Sequence, residues 1–175
     1  MTNKELGQAI RKALKEHGWN ARAISVRVGD AGYSTSVSVK IKDLTINKRE
    51  VEKIVNAHES IRYDERCGEI LEGGNTYVFV EYDWEAMHNA AKAYMEQAQE
   101  IIDNNKEACT ATKVFEKDGV EMYYHFSGIV GHIDNHVTLH GEKFADDWYN
   151  QKYAAYSANS LAEALALFDL QGRLA

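Results

Sequence analysis

A chain of 175 residues, 45% hydrophobic and 27% charged, can bury a core of its own without disulfide or metal staples and is too apolar to remain disordered. Its formal net charge of −7 is unevenly spread: residues 1–45 hold eight Lys/Arg against four Asp/Glu, residues 46–83 five against nine, and residues 84–175 seven against fourteen. The first half is therefore neutral but polarised, and the whole deficit lies in the second, where it repels nucleic acid or imitates it toward a basic protein.

Thr2 and Glu5 form a capping-box pair ahead of Leu6, Ile10, Ala13 and Leu14 at helical spacing, and Gly18 closes the helix. Ile24, Val26 and Val28, then Val37, Val39 and Ile41, alternate with polar residues on either side of Asp30-Ala31-Gly32, which predicts a hairpin with one buried face. Asn47 with Glu50 caps a second helix that turns Val51, Ile54 and Val55 inward. Residues 61–75 are polar and read as a long loop or a loop with one short strand, and the β formers of Thr76–Tyr82 make a third strand.

Asp83 can cap a long helix whose core stripe runs Trp84, Met87, Ala91, Tyr94, Ala98 and Ile101. Thr112–Glu116 and Val120–Ser127 read as strands joined at Lys117-Asp118-Gly119, a type I′ signal, with a further strand or hairpin in Ile129–His140. Beyond Gly141 the pattern returns to helix through Phe144 and Trp148, then through a helix capped by Ser160 and Glu163 that carries Leu161, Leu165 and Phe168. The fold class is α+β. A helix–hairpin–helix–strand unit over 1–83 (α-β-β-α-β) is followed by an acidic unit over 84–175, with a helix, antiparallel strands and C-terminal helices (α-β-β-β-α). The chain has no proline and no linker, so the units are expected to pack into one compact body.

Most catalytic chemistry finds no foothold. His132, Asp134, His136 and His140 share one face of a straight strand and could begin a metal site, but residues two apart on a strand stand about 7 Å apart. Ile133, Val137 and Leu139 on the other parity make this an amphipathic strand with a wet face, so no metal or other cofactor is assigned. Cys67 could be a nucleophile beside His58 or His88, but Glu65 and Glu69 work against its thiolate. Asp64, Glu65, Glu69 and Glu72 read as a solvated loop and not an acid–base pair. Gly73-Gly74-Asn75 lacks the lysine of a phosphate loop and leads into a strand. Cys67 and Cys109 lack metal-type spacing and read as semi-buried reduced thiols. No segment has the apolar length of a signal peptide or membrane span, which leads us to expect a cytoplasmic protein with no membrane partner. The tyrosines Tyr33, Tyr63, Tyr149, Tyr153 and Tyr156 are candidate interface anchors.

Two charged surfaces remain as binding candidates. The basic set is Arg11, Lys12 and Lys15 on the first helix with Arg27, Lys40 and Lys42 on the hairpin, suited to phosphates of DNA or RNA. The acidic set is Glu121, Glu142, Asp146 and Asp147, suited to a basic cleft.

Residues 8–84 also resemble a known domain family. The pieces that carry the likeness are Ile10-Arg11-Lys12-Ala13-Leu14-Lys15, Ile24-Ser25-Val26-Arg27-Val28, Tyr33-Ser34-Thr35-Ser36-Val37, Ile41-Lys42-Asp43-Leu44, and Ile61-Arg62-Tyr63-Asp64-Glu65 continuing through Gly68-Glu69-Ile70-Leu71-Glu72-Gly73-Gly74-Asn75-Thr76. The family is the twenty-ninth of the large polyvalent protein-associated domains of phage and conjugative elements. The resemblance implies an accessory of proteins that travel with or protect incoming DNA, with no catalytic residues to carry over. The acidic residues 84–175 depart from it. A short mobile-element chain of this kind suits a non-enzymatic inhibitor of a host defence nuclease or its ribonucleoprotein complex, of anti-CRISPR type and with a Cas9-type effector as one target. The alternative is a nucleic-acid-binding accessory protein of a mobile element. This step is associational.

Overall fold

The structure, a computed structural model, describes residues 1–107, 109–128, 135–141 and 152–174. Contacts divide the chain into two compact units, Met1–Asp83 and Trp84–Ala175.

In the first unit, helix α1 (Asn3–Glu16) begins at a complete capping box. The Thr2 hydroxyl accepts the Glu5 N–H, and the Glu5 carboxylate accepts the Thr2 N–H at 2.7 Å. It ends in a Schellman turn: the Gly18 N–H donates to the Lys15 carbonyl and the Trp19 N–H to Leu14, with Gly18 at φ +89°. Strands β1 (Ile24–Ala31) and β2 (Ser34–Ile41) form the antiparallel hairpin. Helix α2 (Lys48–Val55), capped by Asn47, and a 3-10 turn at Asn56–His58 carry the chain over to β3 (Thr76–Tyr82), which lies parallel to β2. The sheet order is β1-β2-β3, antiparallel then parallel. Leu6, Ile10 and Leu14 of α1 and Val51 and Val55 of α2 bury one sheet face, formed by Ile24, Val26, Val37, Val39 and Ile41. Each such side chain contributes about 1.5–3 kcal/mol on leaving water. Strand parity sends the alternate residues to the other face, which no helix of this unit covers.

In the second unit, α3 (Trp84–Ala91), a 3-10 turn (Lys92–Tyr94) and α4 (Met95–Asn104) precede an antiparallel sheet β4-β5-β6-β7. Its strands are Thr110–Lys117, Val120–Phe126, His136–His140 and Lys152–Ala154, and helix α5 (Ala158–Gln171) follows. The β4–β5 turn is Asp118-Gly119 with φ of 52° and 74°, the two positive values that a type I′ turn requires. Helix α5 is apolar nearly all round. Leu161, Leu165 and Phe168 are fully buried with Met122, Tyr124 and Val137 of the sheet, and Phe115 meets Phe168 edge to face at 5.5 Å.

Several details differ from the sequence reading. The long helix after Asp83 is interrupted at Lys92–Tyr94, where Tyr94 leaves α geometry (φ −110°, ψ 0°) and its hydroxyl donates to Asp169 of α5. Trp84 is not in the core stripe: it is 69% exposed at the first turn and stacks on His88. A short edge strand, Lys152–Ala154, which the sequence reading did not assign, forms because its backbone pairs with His136–Thr138. Helix α5 is capped by Ser157. The Ser157 hydroxyl accepts the Ser160 N–H and Ser160 returns a bond, so the cap lies three residues before the expected Ser160. Phe144, Trp148 and Tyr149 lie outside the described residues. Both cysteines are exposed free thiols, Cys67 in a turn and Cys109 ahead of β4, not semi-buried. Among the described residues no helix is long and apolar enough to cross a membrane.

Candidate functional site

The first unit disperses the basic set. The Arg11 guanidinium donates to the outward carbonyl of Val26 at 2.6 Å and so covers the edge of β1, which protects an edge strand as much as it offers a cation. Lys12 pairs with Glu16 on the exposed side of α1. Lys15 and Trp19 border a groove of about 300 Å³ beside β1. Arg27 and Lys40 are elsewhere, on the uncovered sheet face, so the six cations do not form one surface; Lys42, just past β2, is exposed.

That uncovered face reads in rows across the strands. Gly29 stands beside Ser36 and Tyr77, Arg27 beside Ser38 and Phe79, and Ser25 beside Lys40 and Glu81. Small residues fill its centre, and Phe79 is 57% exposed. Lys40 and Glu81 pair at 3.5 Å with both side chains well exposed, an interaction worth little. At the hairpin end the face opens into a cleft of about 520 Å³ lined by Tyr33, Ser34, Ile70 and Tyr77 among others. Sequence reasoning missed this platform because Phe79 was read only as a β former. The polar parity of 25-27-29, 36-38-40 and 77-79-81 was the available signal.

The loop wall of the cleft is held from within. Buried Asn75 accepts the Arg62 N–H and donates to the Leu71 carbonyl and the Tyr77 hydroxyl. The Gly74 N–H donates to the Tyr33 carbonyl, so Gly73-Gly74-Asn75 closes the loop on the hairpin. Asp64 accepts the N–H groups of Arg66 and Cys67, which hold its carboxyl below the usual range. That bonding assigns Asp64 to the turn.

In the second unit, Glu121 does not stand free: it accepts from Lys113 at 2.9 Å and from the Tyr123 hydroxyl, bonds that lower its pKa. Glu142, Asp146 and Asp147 lie outside the described residues. The acidic row that is described belongs to α4, where Glu96, Glu100 and Asp103 are exposed at helical spacing. No cation among the described residues pairs with Glu96 or Glu100, and Asp103 accepts from Gln99. The i, i+4, i+7 spacing was present in the sequence but hidden behind the apolar stripe of the same segment. Exposed Trp84 on α3 is the residue type that most often anchors an interface.

The histidine face is polar, as strand parity requires. His125 and His136 are cross-strand partners stacked at 4.6 Å, and Thr138 Oγ1 bridges His125 Nε2 at 2.8 Å and His140 Nε2 at 2.9 Å. The Thr138 hydroxyl has one proton and two lone pairs, so it can bond both rings at once. Burial, then the neighbouring His136, His140 and Lys152, lower the His125 pKa. His132 and Asp134 lie outside the described residues. Among the described residues no group of three or more His, Cys, Asp or Glu is placed to hold a metal.

One half-buried network joins α5 to β4 and to the 3-10 turn before α4. Asp169 of α5 accepts the Tyr94 hydroxyl at 2.7 Å and the Lys117 ammonium at 2.9 Å, and Lys117 also donates to the Asp169 carbonyl. Burial, with Asp169 adding to it, pushes Tyr94 up to about 12, and the two bonds lower Asp169.

No family model, curated protein or solved structure matches this chain.

Proposed function

We propose that this chain is a non-enzymatic protein of a phage or mobile element that docks on a host defence nuclease and inhibits it. The observation that carries the reading is charge segregation. The first unit is neutral and the second holds the whole excess of −7, with Glu96, Glu100 and Asp103 in a row on the outer side of α4. At 1.5 Å per residue the row spans about 10 Å, a carboxylate every ~5 Å. One strand of a nucleic acid presents a phosphate every ~3.4 Å, so the spacing is of the same order. A Cas9-type effector holds its guide and target in a positively charged channel, and an acidic helix suits such a channel. Glu142, Asp146 and Asp147 add to the same deficit. The resemblance of residues 8–84 to a mobile-element domain supplies the setting, and a cytoplasmic nuclease places the protein in the same reducing compartment as its two free thiols.

The test is target-DNA cleavage by a purified, guide-loaded Cas9-type nuclease at increasing concentrations of the protein. Glu96→Lys with Glu100→Lys is expected to weaken inhibition by about tenfold or more at low salt, and less at high salt. Equal inhibition by wild type and variant would remove α4 from the contact. No inhibition by the wild type would exclude this nuclease class.

The second reading, a nucleic-acid-binding accessory, is favoured by one observation: Arg27 and Lys40 share an open sheet face with exposed Phe79.

A further inference from the structure

We propose that the open face of β1-β2-β3, with the cleft at its hairpin end, is a binding site for single-stranded nucleic acid. The proposal rests on the second reading above and narrows it to a ligand class and a set of contacts.

The argument starts from what the face exposes. Phe79 on the third strand is 57% exposed, because it lies on the parity that faces away from the core. Its neighbours across the sheet, Ser38 and then Arg27, are a small hydroxyl and an exposed cation. Two strand spacings separate Phe79 from Arg27, about 10 Å at the backbone. A base lying flat on Phe79 therefore has room over Ser38 and sends its phosphate toward Arg27. Tyr77, one pleat along the same face, stands about 7 Å from Phe79 at the backbone and forms part of the cleft. The cleft also has Tyr33, 84% exposed, on its rim and Ile70, 53% exposed. Two aromatic positions this far apart hold two unstacked bases of an extended strand.

Shape and charge then select the ligand. A duplex keeps its bases paired and its rings unavailable, so a flat floor with protruding rings recognises single strands. The serines Ser25, Ser36 and Ser38 can donate to or accept from base edges without imposing one sequence. Acidic groups confine the path: Glu81 closes the third row, where it pairs with Lys40, and Glu72 stands at the cleft. The strand therefore crosses from Phe79 toward Arg27 and enters the cleft at Tyr77. The Asn75 bonds to Arg62, Leu71 and Tyr77 hold the cleft wall in place before any ligand arrives.

The experiment is fluorescence anisotropy of the full chain with a labelled oligothymidylate, a labelled oligouridylate and a labelled duplex of equal length, each at low and high salt. Single strands are expected to bind more tightly than the duplex. Phe79→Ala is expected to weaken binding about tenfold, the loss of one stacked base, while Phe79→Tyr retains it. Arg27→Ala is expected to lower the slope of log affinity against log salt by about 0.7, one phosphate contact. Phe79 and Arg27 are exposed, and a thermal melt of each variant verifies the fold. The two oligonucleotides decide between DNA and RNA. Duplex binding equal to or tighter than single-strand binding, or a Phe79→Ala affinity equal to wild type, overturns the site while leaving a nucleic-acid accessory standing. No binding to any of the three overturns the site and the accessory reading together.

Discussion

Tyr124 is 1% exposed, and its hydroxyl has no partner among the described residues; burial alone raises its pKa. An unsatisfied buried hydroxyl costs free energy that a phenyl ring would not. Tyr124→Phe is thus expected to leave stability unchanged or raise it by up to about 1 kcal/mol in urea unfolding, and a clear loss would reveal a hidden partner. Asp169 is the opposite case, since it accepts from two donors at once. Asp169→Asn is expected to cost about 1–3 kcal/mol, toward the lower end because the pair is more than a third exposed. The Asp169 pKa is lowered in the fold, so its contribution is complete above the ordinary carboxylate value near 3.8 and is lost as the pH falls below it. Asp169→Asn should therefore flatten the acid limb of a stability–pH curve. His125 follows the same sign in a different window. Its pKa is lowered, so the native state is favoured above the ordinary imidazole value near 6.5 and weakens as the pH falls through it. His125→Gln is expected to reduce the loss of melting temperature between neutral and mildly acid pH.

Elements that carry their own punctuation were legible in the sequence. The Thr2–Glu5 box, the Asn47 cap, the Asp118-Gly119 turn and the alternation of Ile24-Val26 against Val37-Val39-Ile41 each formed as read, because each is fixed by residues within a few positions. Elements decided by distant partners were not. Lys152–Ala154 is a strand only because β6 offers an edge, and the break before α4 comes with a bond between Tyr94 and Asp169, 75 residues apart. The capping box is open to direct measurement. Thr2→Ala is expected to lower stability by about 1 kcal/mol, and Gly18→Ala, at φ +89°, by a similar amount through strain in the turn that ends α1. Calorimetry showing no change for either would mean that α1 is held by its buried face alone.

At the scale of the whole molecule, the distribution of charge was legible from the sequence, but the surfaces that present it were not. Counting placed the excess of acid in residues 84–175, but of the four acids chosen there Glu121 is engaged by Lys113 and Tyr123, and the row exposed on α4 was masked by the apolar residues between its members. The basic set likewise divided between a helix, an edge strand and the open face, because strand parity and helix phase assign each cation to a different side. The open face could have been found by asking which β formers occupied the polar parity. The central claim is that the protein works by holding a defence nuclease through its acidic unit. The most direct measurement is affinity capture from a lysate of a defence-carrying bacterium, using tagged wild type and the Glu96→Lys, Glu100→Lys variant, with and without prior digestion of nucleic acid. The expected result is a defence nuclease retained by the wild type after digestion and lost from the variant. Retention of nucleic acid alone, with no nuclease left after digestion, would contradict the claim.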